Sequence, residues 1–383
     1  MRLLFVVQGH NEQDQIGYTS AARQLLAEGV LTNLTFFFPF QDFAQRKSWE
    51  DTWKALIQAA KESEPTCIFF QFFNYHAEAI ATLIKGLESL PSKPLIMTSY
   101  GDPFSSSLLL PHPPSSFMRI ARAADLNFQT TMGRCSDYLS RNAIRHLVFC
   151  PHGFCQKRFS PSPSELDTKR SFDISFVGSR NISKNPLSTL FYTGRRRQAL
   201  VSLLQKDFGT RFALFGHGWE GFPSWQGPVP YANQIDAIRK SELFFGGYPG
   251  SNELLYQSDR PWIALMSGVP LIDWRIPGLS WILRDGSDWH PVCSSSELIN
   301  KIDFLLSQSQ ERLRQQALQT ALLAKDRHSQ YHRMRFMIRT ASLLWTARNS
   351  HKTPFLPPFD FFLPDIDILK ILPKILVGWK FPF

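Results

Sequence analysis

Phe172-Asp173-Ile174-Ser175-Phe176-Val177-Gly178-Ser179-Arg180 is the stretch that decides the fold. Residues 172–177 read as a buried strand that runs straight into Gly-Ser-Arg. Glycine at a strand end lets backbone approach a ligand, and arginine can grip a diphosphate with two parallel hydrogen bonds. The stretch follows residues 156–171, where Pro161, Pro163, several serines and mixed charges read as an exposed linker. Beyond the linker, strand and helix alternate afresh: helix 195–206, strand 211–215, helix 233–240, strand 242–245, helix 260–267 and strand 269–273. Leu298, Ile299, Ile302, Leu305 and Leu306 then form one helical stripe, and helix-rich sequence continues to about 348.

The same alternation precedes the linker. Strands are read at 2–8, 33–38, 67–73, 94–98, 124–129 and 147–150, and helices at 17–28, 49–61 and 76–87. Apolar runs without strict alternation, separated by helices, predict parallel sheets covered on both faces. The expected fold class is α/β, with two tandem Rossmann-like domains at 1–155 and 172–348, a helical C-terminal end and an apolar tail. The tail, 349–383, is rich in Pro and Phe. Ile366, Ile368, Leu369, Ile371 and Leu372 make it greasy, while its Asp and Lys residues forbid a membrane span. It reads either as an arm packed in a groove of the first domain, which is favoured, or as an interfacial anchor giving peripheral membrane contact.

The 383 residues suit two or three domains at about 150 residues each. With 42 Lys+Arg against 32 Asp+Glu, the net charge of +10 suits phosphate-bearing ligands or anionic headgroups. Nucleic-acid binding would rest on that charge alone, since no module signature accompanies it, so it is not expected. No GxGxxG follows the first strand, which argues against a nicotinamide-dependent dehydrogenase. The five cysteines, at 67, 135, 150, 155 and 293, form no CxxC pair and no zinc spacing. A reducing, cytoplasmic compartment is expected.

The second half carries an ordered series. Asp173 to Arg180 is followed by Phe215-Gly216-His217-Gly218-Trp219, by Gly227 before Pro230-Tyr231, and by Gln257-Ser258-Asp259-Arg260-Pro261-Trp262. Ser267-Gly268-Val269-Pro270-Leu271-Ile272-Asp273 and Arg327-His328-Ser329-Gln330-Tyr331-His332-Arg333 close it. The first half adds Tyr100-Gly101-Asp102-Pro103 and Cys150-Pro151-His152-Gly153. The series resembles glycosyltransferases of the spore-maturation-protein type, a branch of the group 1 glycosyltransferases with two Rossmann-like domains facing a cleft, the GT-B fold. The resemblance covers about residues 1–345.

That resemblance implies transfer of a sugar from a nucleotide-sugar donor on the second domain to an acceptor on the first. The acceptor could be a glycan, a lipid-linked molecule or a small molecule. It leans towards retaining chemistry. Donor-binding candidates are Gly178, Arg180, His217, Gly218, Trp219, Tyr231, Ser258, Arg260 and Gly268. Arg260, opening a helix behind Ser258, would meet the diphosphate, and Trp219 would either stack on the nucleobase or pack a turn. Arginine and a helix N-terminus would stand in for a metal, so no metal or resident cofactor is expected. His10, after the first strand, and Asp102, before Pro103, compete as the catalytic base on an acceptor hydroxyl. Their alternatives are a hydrogen-bonded loop histidine and a turn-forming aspartate. Arg195-Arg196-Arg197 reads as a solvated face, and His328 with His332 as pins for the final helices.

One residue departs from the pattern. The family commonly has Glu one position after the aromatic of its Arg-x-aromatic segment, near the donor ribose. Here Ile263 follows Trp262, and Glu253 or Asp259 would have to supply the carboxylate. Ile263 therefore also admits a non-catalytic glycan- or nucleotide-binding scaffold of the same fold. A membrane-peripheral transferase is the third reading.

Overall fold

The structure, a computed structural model, describes residues 1–71, 79–101, 113–160, 170–180, 184–185, 189–247, 253–350 and 356–379. The first half alternates as β1 (Arg2–Val6), α1 (Ile16–Ala27), β2 (Asn33–Phe37), α2 (Pro39–Arg46), α3 (Trp49–Ser63), β3 (Cys67–Gln71), α4 (Ile80–Glu88), β4 (Leu95–Tyr100), α5 (Ser115–Ala123), β5 (Leu126–Gln129), α6 (Arg134–Arg141) and β6 (Leu147–Phe149). The second runs β7 (Phe172–Val177), α7 (Thr189–Phe208), β8 (Phe212–Phe215), α8 (Gln234–Arg239), β9 (Ser241–Phe245), α9 (Arg260–Met266), β10 (Leu271–Trp274), β11 (His290–Val292), α10 (Ser295–Leu306), α11 (Gln310–Arg327) and α12 (Gln330–Ser350). The tail adds α13 (Ile368–Ile375) and β12 (Leu376–Val377).

Two sheets result, ordered β12-β6-β5-β4-β3-β1-β2 and β11-β10-β9-β7-β8. All pairs are parallel except β12 with β6. Leu3 to Val6 are buried on both faces because β1 lies between β2 and β3 with helices above and below. Phe5 stacks on its partner Phe69 with centroids 4.8 Å apart. In the second sheet Ile174 pairs with Phe212 and Phe176 with Leu214. This is the expected α/β class, with two Rossmann-like sheets.

The chain's end departs from the expected division. Helix α12, read from sequence as part of the second domain, crosses back and packs along α1. Its Phe336 meets Phe128 of β5 edge-on at 5.9 Å, and the Tyr331 hydroxyl donates to Glu28 at 2.7 Å. The tail follows it. Leu376 pairs with Val148, Phe361 lies edge-on to Phe149, and Phe359, Phe362, Ile371, Leu372 and Ile375 are buried. Residues 356–379 thus form a seventh strand and a helix of the first domain, the packed-arm arrangement, although Leu369 remains 68% exposed. The apolar side chains have a protein partner, and burying them there removes far more surface from water than a solvated arm would.

The start of the linker is also packed. Phe159 is fully buried, with its ring 5.2 Å from that of Tyr231. Residues 161–169 lie outside the described set, as does the first part of the helix expected at 76–87. Short elements escaped the sequence reading: α2, α5, α6, β11 and β12 are too brief, or too polar in the case of α6, to show a period. All five cysteines are free thiols and only Cys293 is exposed. Among the described residues no helix is long and apolar enough to cross a membrane.

Candidate active site

A cavity of about 510 Å³ opens between the two sheets. The carboxyl ends of parallel strands supply its first wall: Gln8 after β1, Gln71 on β3, Tyr100 on β4 and Thr130 after β5. Asp14, Gly101 and His152 complete that wall, and Gln330 enters from α12. Gln71 bridges neighbours, its Oε1 accepting the Gln8 N–H and its Nε2 donating to Gln15 Oε1, both at 3.2 Å. His152 Nε2 lies 2.6 Å from the Gly101 carbonyl oxygen. A Cβ at Gly101 would come within 2.9 Å of the His152 ring, so glycine is what lets the imidazole in.

Tyr231, Ser258 and Asp259 form the facing wall. The Tyr231 hydroxyl donates to Asp259 Oδ2 at 2.6 Å, and burial, then Asp259, push its pKa above the ordinary phenol value. The Arg158 guanidinium lies 5.6 Å from the Tyr231 ring centroid.

Arg260 follows Asp259 and reaches the end of β7. Its Nη1 is buried without a hydrogen-bond partner among the described residues, and a Cβ on Gly178 would sit 3.3 Å from it. Arg180 donates Nη2 to Gln198 at 3.0 Å, while its buried Nε has no partner there either. A buried guanidinium nitrogen without an acceptor is costly unless something anionic completes it. The loop holding these groups is tied to the one after β8. Gly178 N–H donates to Phe215, Arg180 N–H donates to His217, and Trp219 Nε1 donates to the Gly178 carbonyl at 2.6 Å. Gly216, at φ +132°, could not carry a Cβ, which would meet the Gly178 oxygen at 2.5 Å.

The structure brings some predicted site residues together and separates others. Tyr231 and Ser258 line the cleft; Arg260 lies against Gly178, Arg180 reaches Gln198, and none of these three is among the described lining residues. Gly218, at φ +81°, is the turn that carries the chain past Arg180, and His217 is exposed. Trp219 is fully buried with its indole N–H spent on Gly178, so of its two readings the packed turn is the observed one. Gly268 lies past the C-terminal end of α9, and its carbonyl accepts Arg170 Nη2 at 2.9 Å rather than facing the cleft. His10 is exposed, donates its backbone N–H to Asp14 at 2.7 Å and does not line the cavity, whereas Asp14 does. Asp102 lies outside the described residues. Ile263 is buried in the core, Asp259 faces the cleft, and Glu253 reaches the start of α6, where burial raises its pKa.

Three groups escaped the sequence reading. Arg197, taken for a solvated residue, is 9% exposed and donates to the Ser179 carbonyl at 2.7 Å, bracing the loop after β7. Gln8 and Gln71 carry no motif; only their position at adjacent strand ends reveals them. His328 and His332 do pin the corner before α12. His328 stacks on Trp262 at 4.5 Å and accepts from Arg333, and His332 Nδ1 lies 2.8 Å from Ser329 Oγ.

Two Rossmann-like sheets face one cleft, and the last long helix crosses back to the first domain. The chain has the GT-B fold. Residues 195–339 match the family model described as Glycosyl transferase-like. The fold is similar to that of Anabaena HepE in complex with UDP and glucose, at 14% identity and TM-score 0.55, over 89% of this chain and 99% of that one. A glycosyltransferase from Rickettsia africae aligns at 12% identity and TM-score 0.54, over 92% of this chain and 99% of its own. Sucrose-phosphate synthase from Thermosynechococcus elongatus aligns at 12% and 0.56, over 91% and 100%. No curated protein sequence matches the chain.

Proposed function

We propose that this protein transfers a sugar from a nucleotide-sugar donor, held by the second domain, to an acceptor hydroxyl in the cleft. The observation that carries this reading is the buried Nη1 of Arg260 beside Gly178, without a partner among the described residues, with Arg180 Nε in the same condition. Transfer breaks the bond between the anomeric carbon and the diphosphate, so negative charge grows on the leaving group. Preorganised guanidinium groups in a water-poor site stabilise that charge most effectively. The reaction in this reading needs no metal and takes a retaining course. Asp259 stands in for the carboxylate that Ile263 lacks, and an inverting course would use Asp14 rather than His10. HepE carries UDP and UDP-glucose, which makes a uridine donor the first to test. The spore-maturation-protein type, the cytoplasmic location and peripheral membrane contact through Leu369 and its neighbours belong to the same proposal.

A second reading has one observation behind it: Ile263 is in the core, so no side chain from that position reaches a ribose. On that basis the fold would bind a nucleotide without turnover. A thermal-shift panel of nucleoside diphosphates and nucleotide sugars, on the wild type and Arg260→Ala, tests both. At about 100 times its dissociation constant a ligand adds ~2.7 kcal/mol of stability. A shift with one nucleotide, lost in the variant, supports the donor site, and hydrolysis or transfer of that donor separates enzyme from binder. No shift with any nucleotide sinks the donor site.

A further inference from the structure

A second cavity, of about 530 Å³, lies where the corner between α11 and α12 meets the tail. Among the described residues it shares no lining residue with the cleft. Its lining includes Arg327, Arg333 and Arg335 from the corner and Phe362, Ile366 and Ile368 from the tail.

Arg333 is the unusual member. It is 1% exposed, and none of the ion pairs among the described residues includes it. Three of its five N–H groups donate to neutral acceptors: the carbonyls of His152 and Arg327, and Nδ1 of His328. Burial lowers its pKa only to about 10, so it remains a cation at neutral pH. Trp262 and Phe361 lie 5.5 and 5.3 Å from the guanidinium carbon and offer ring faces, which recover part of the desolvation cost but supply no anion. A buried charge without a counter-charge is among the most expensive features a fold can hold.

The carboxylates at the cavity do not answer it. Asp360 pairs with Arg339 at 2.8 Å, and Asp326 is exposed. His332 adds no positive charge, because burial first and then Arg333 hold its pKa near 4. The corner therefore contributes cations to the cavity and the tail contributes apolar side chains.

We propose that this cavity binds an amphipathic anion, a single-chain phosphate or carboxylate, its head against Arg327, Arg333 and Arg335 and its chain against Phe362, Ile366 and Ile368. The head supplies the counter-charge that Arg333 lacks among the described residues, and the chain covers Ile366 and Ile368, which are only half-buried. None of these residues lines the cleft, so the site stands whether or not the chain transfers sugar.

Isothermal titration of the full chain with dodecyl phosphate and dodecanoate, each below its micelle concentration, tests it. Inorganic phosphate and dodecanol serve as controls for head and chain alone. Saturable one-to-one binding is expected for at least one amphiphile, about tenfold or more tighter than either control, and their ratio identifies the preferred head. Ile366→Glu and Arg327→Gln, both at half-buried positions, should each weaken it about tenfold with the wild-type melting temperature retained. If Ile366→Glu fails to fold, Arg327→Gln decides alone. Absence of saturable binding, equal binding of dodecanol, or binding unchanged in the folded variants would overturn the site. Displacement by UDP would place the probe in the cleft and overturn it equally.

Discussion

Arg333 donates its Nε–H to the main-chain carbonyl of His152 at 3.1 Å, across 181 residues of sequence. His152 lines the cleft, and Arg333 sits in the helix that returns from the second domain to the first. One guanidinium therefore ties the cleft wall, the corner at Arg327 and His328, and the tail at Phe361. Arg333→Leu leaves three acceptors, one buried and two part-buried, without a donor. Each such loss costs about 1–3 kcal/mol, so a destabilisation of at least ~3 kcal/mol is expected. Urea unfolding of the variant checks this, and Arg333→Lys should recover part of the loss.

Gly216→Ala should be severe for its size. The position combines φ +132° with backbone 2.5 Å from the new Cβ. Strain plus displacement of the Gly178 strand end should cost about 1–3 kcal/mol. It should also weaken nucleotide binding more than a surface Gly221→Ala, where a Cβ meets nothing within 4 Å although φ is again positive. Paired thermal shifts with and without nucleotide separate the two effects.

The tail should be indispensable to folding rather than an appendage. Ile375→Ala, at a position with no exposed surface, should cost about 2–5 kcal/mol. A chain stopped after residue 351 would lose β12 and bare the edge of β6, and should be insoluble or unfolded. A soluble, cooperatively melting truncation would contradict the packing described.

Stability should fall in mild acid. His290 and His332 have folded-state pKa values lowered from 6.5 to about 4, and His328 lies well below its usual value, each chiefly through burial. A lowered histidine pKa means the unfolded state takes up the proton first. The stabilisation is complete above about pH 6.5 and is lost as pH falls from there towards 4. Urea midpoints at pH 7.5, 6 and 5 should decline in that order, and His332→Gln should flatten the slope. A midpoint independent of pH across this range would contradict the burial of these rings.

Strongly alkaline pH should also lower stability. Tyr18 and Tyr231 have pKa values raised above 10.0 by burial, so their contribution is present below pH 10 and lost as pH rises beyond it. Tyr231→Phe removes one of these groups, and also the hydroxyl bond to Asp259. Its stability should depend less on pH above 10, and ultraviolet titration of tyrosinate in the native protein follows the same event directly.

How much was legible follows from the kind of signal involved. Residues 172–177 place Phe172, Ile174 and Phe176 at a strand's period of two, and such strands between helical periods have few solutions other than parallel sheets under helices. That local constraint was enough for both Rossmann-like units and for the glycine and arginine after β7, whereas Tyr231 and Ser258 were named on the family resemblance. The sequence could not say which way Trp219 points, because an indole serves a core and a nucleobase equally well; only its bond to Gly178 decides. Nor could it say that Arg197 turns inward from a run of three arginines, that Gly268 serves Arg170 rather than the cleft, or that His10 lies off the cavity while Asp14 lines it. Those are choices among partners distant in the chain. They were settled by tertiary contacts: Trp219 with Gly178, Arg197 with Ser179, Gly268 with Arg170, and Asp14 with His10. Local pattern determined the two sheets, and long-range burial determined what faces the space between them.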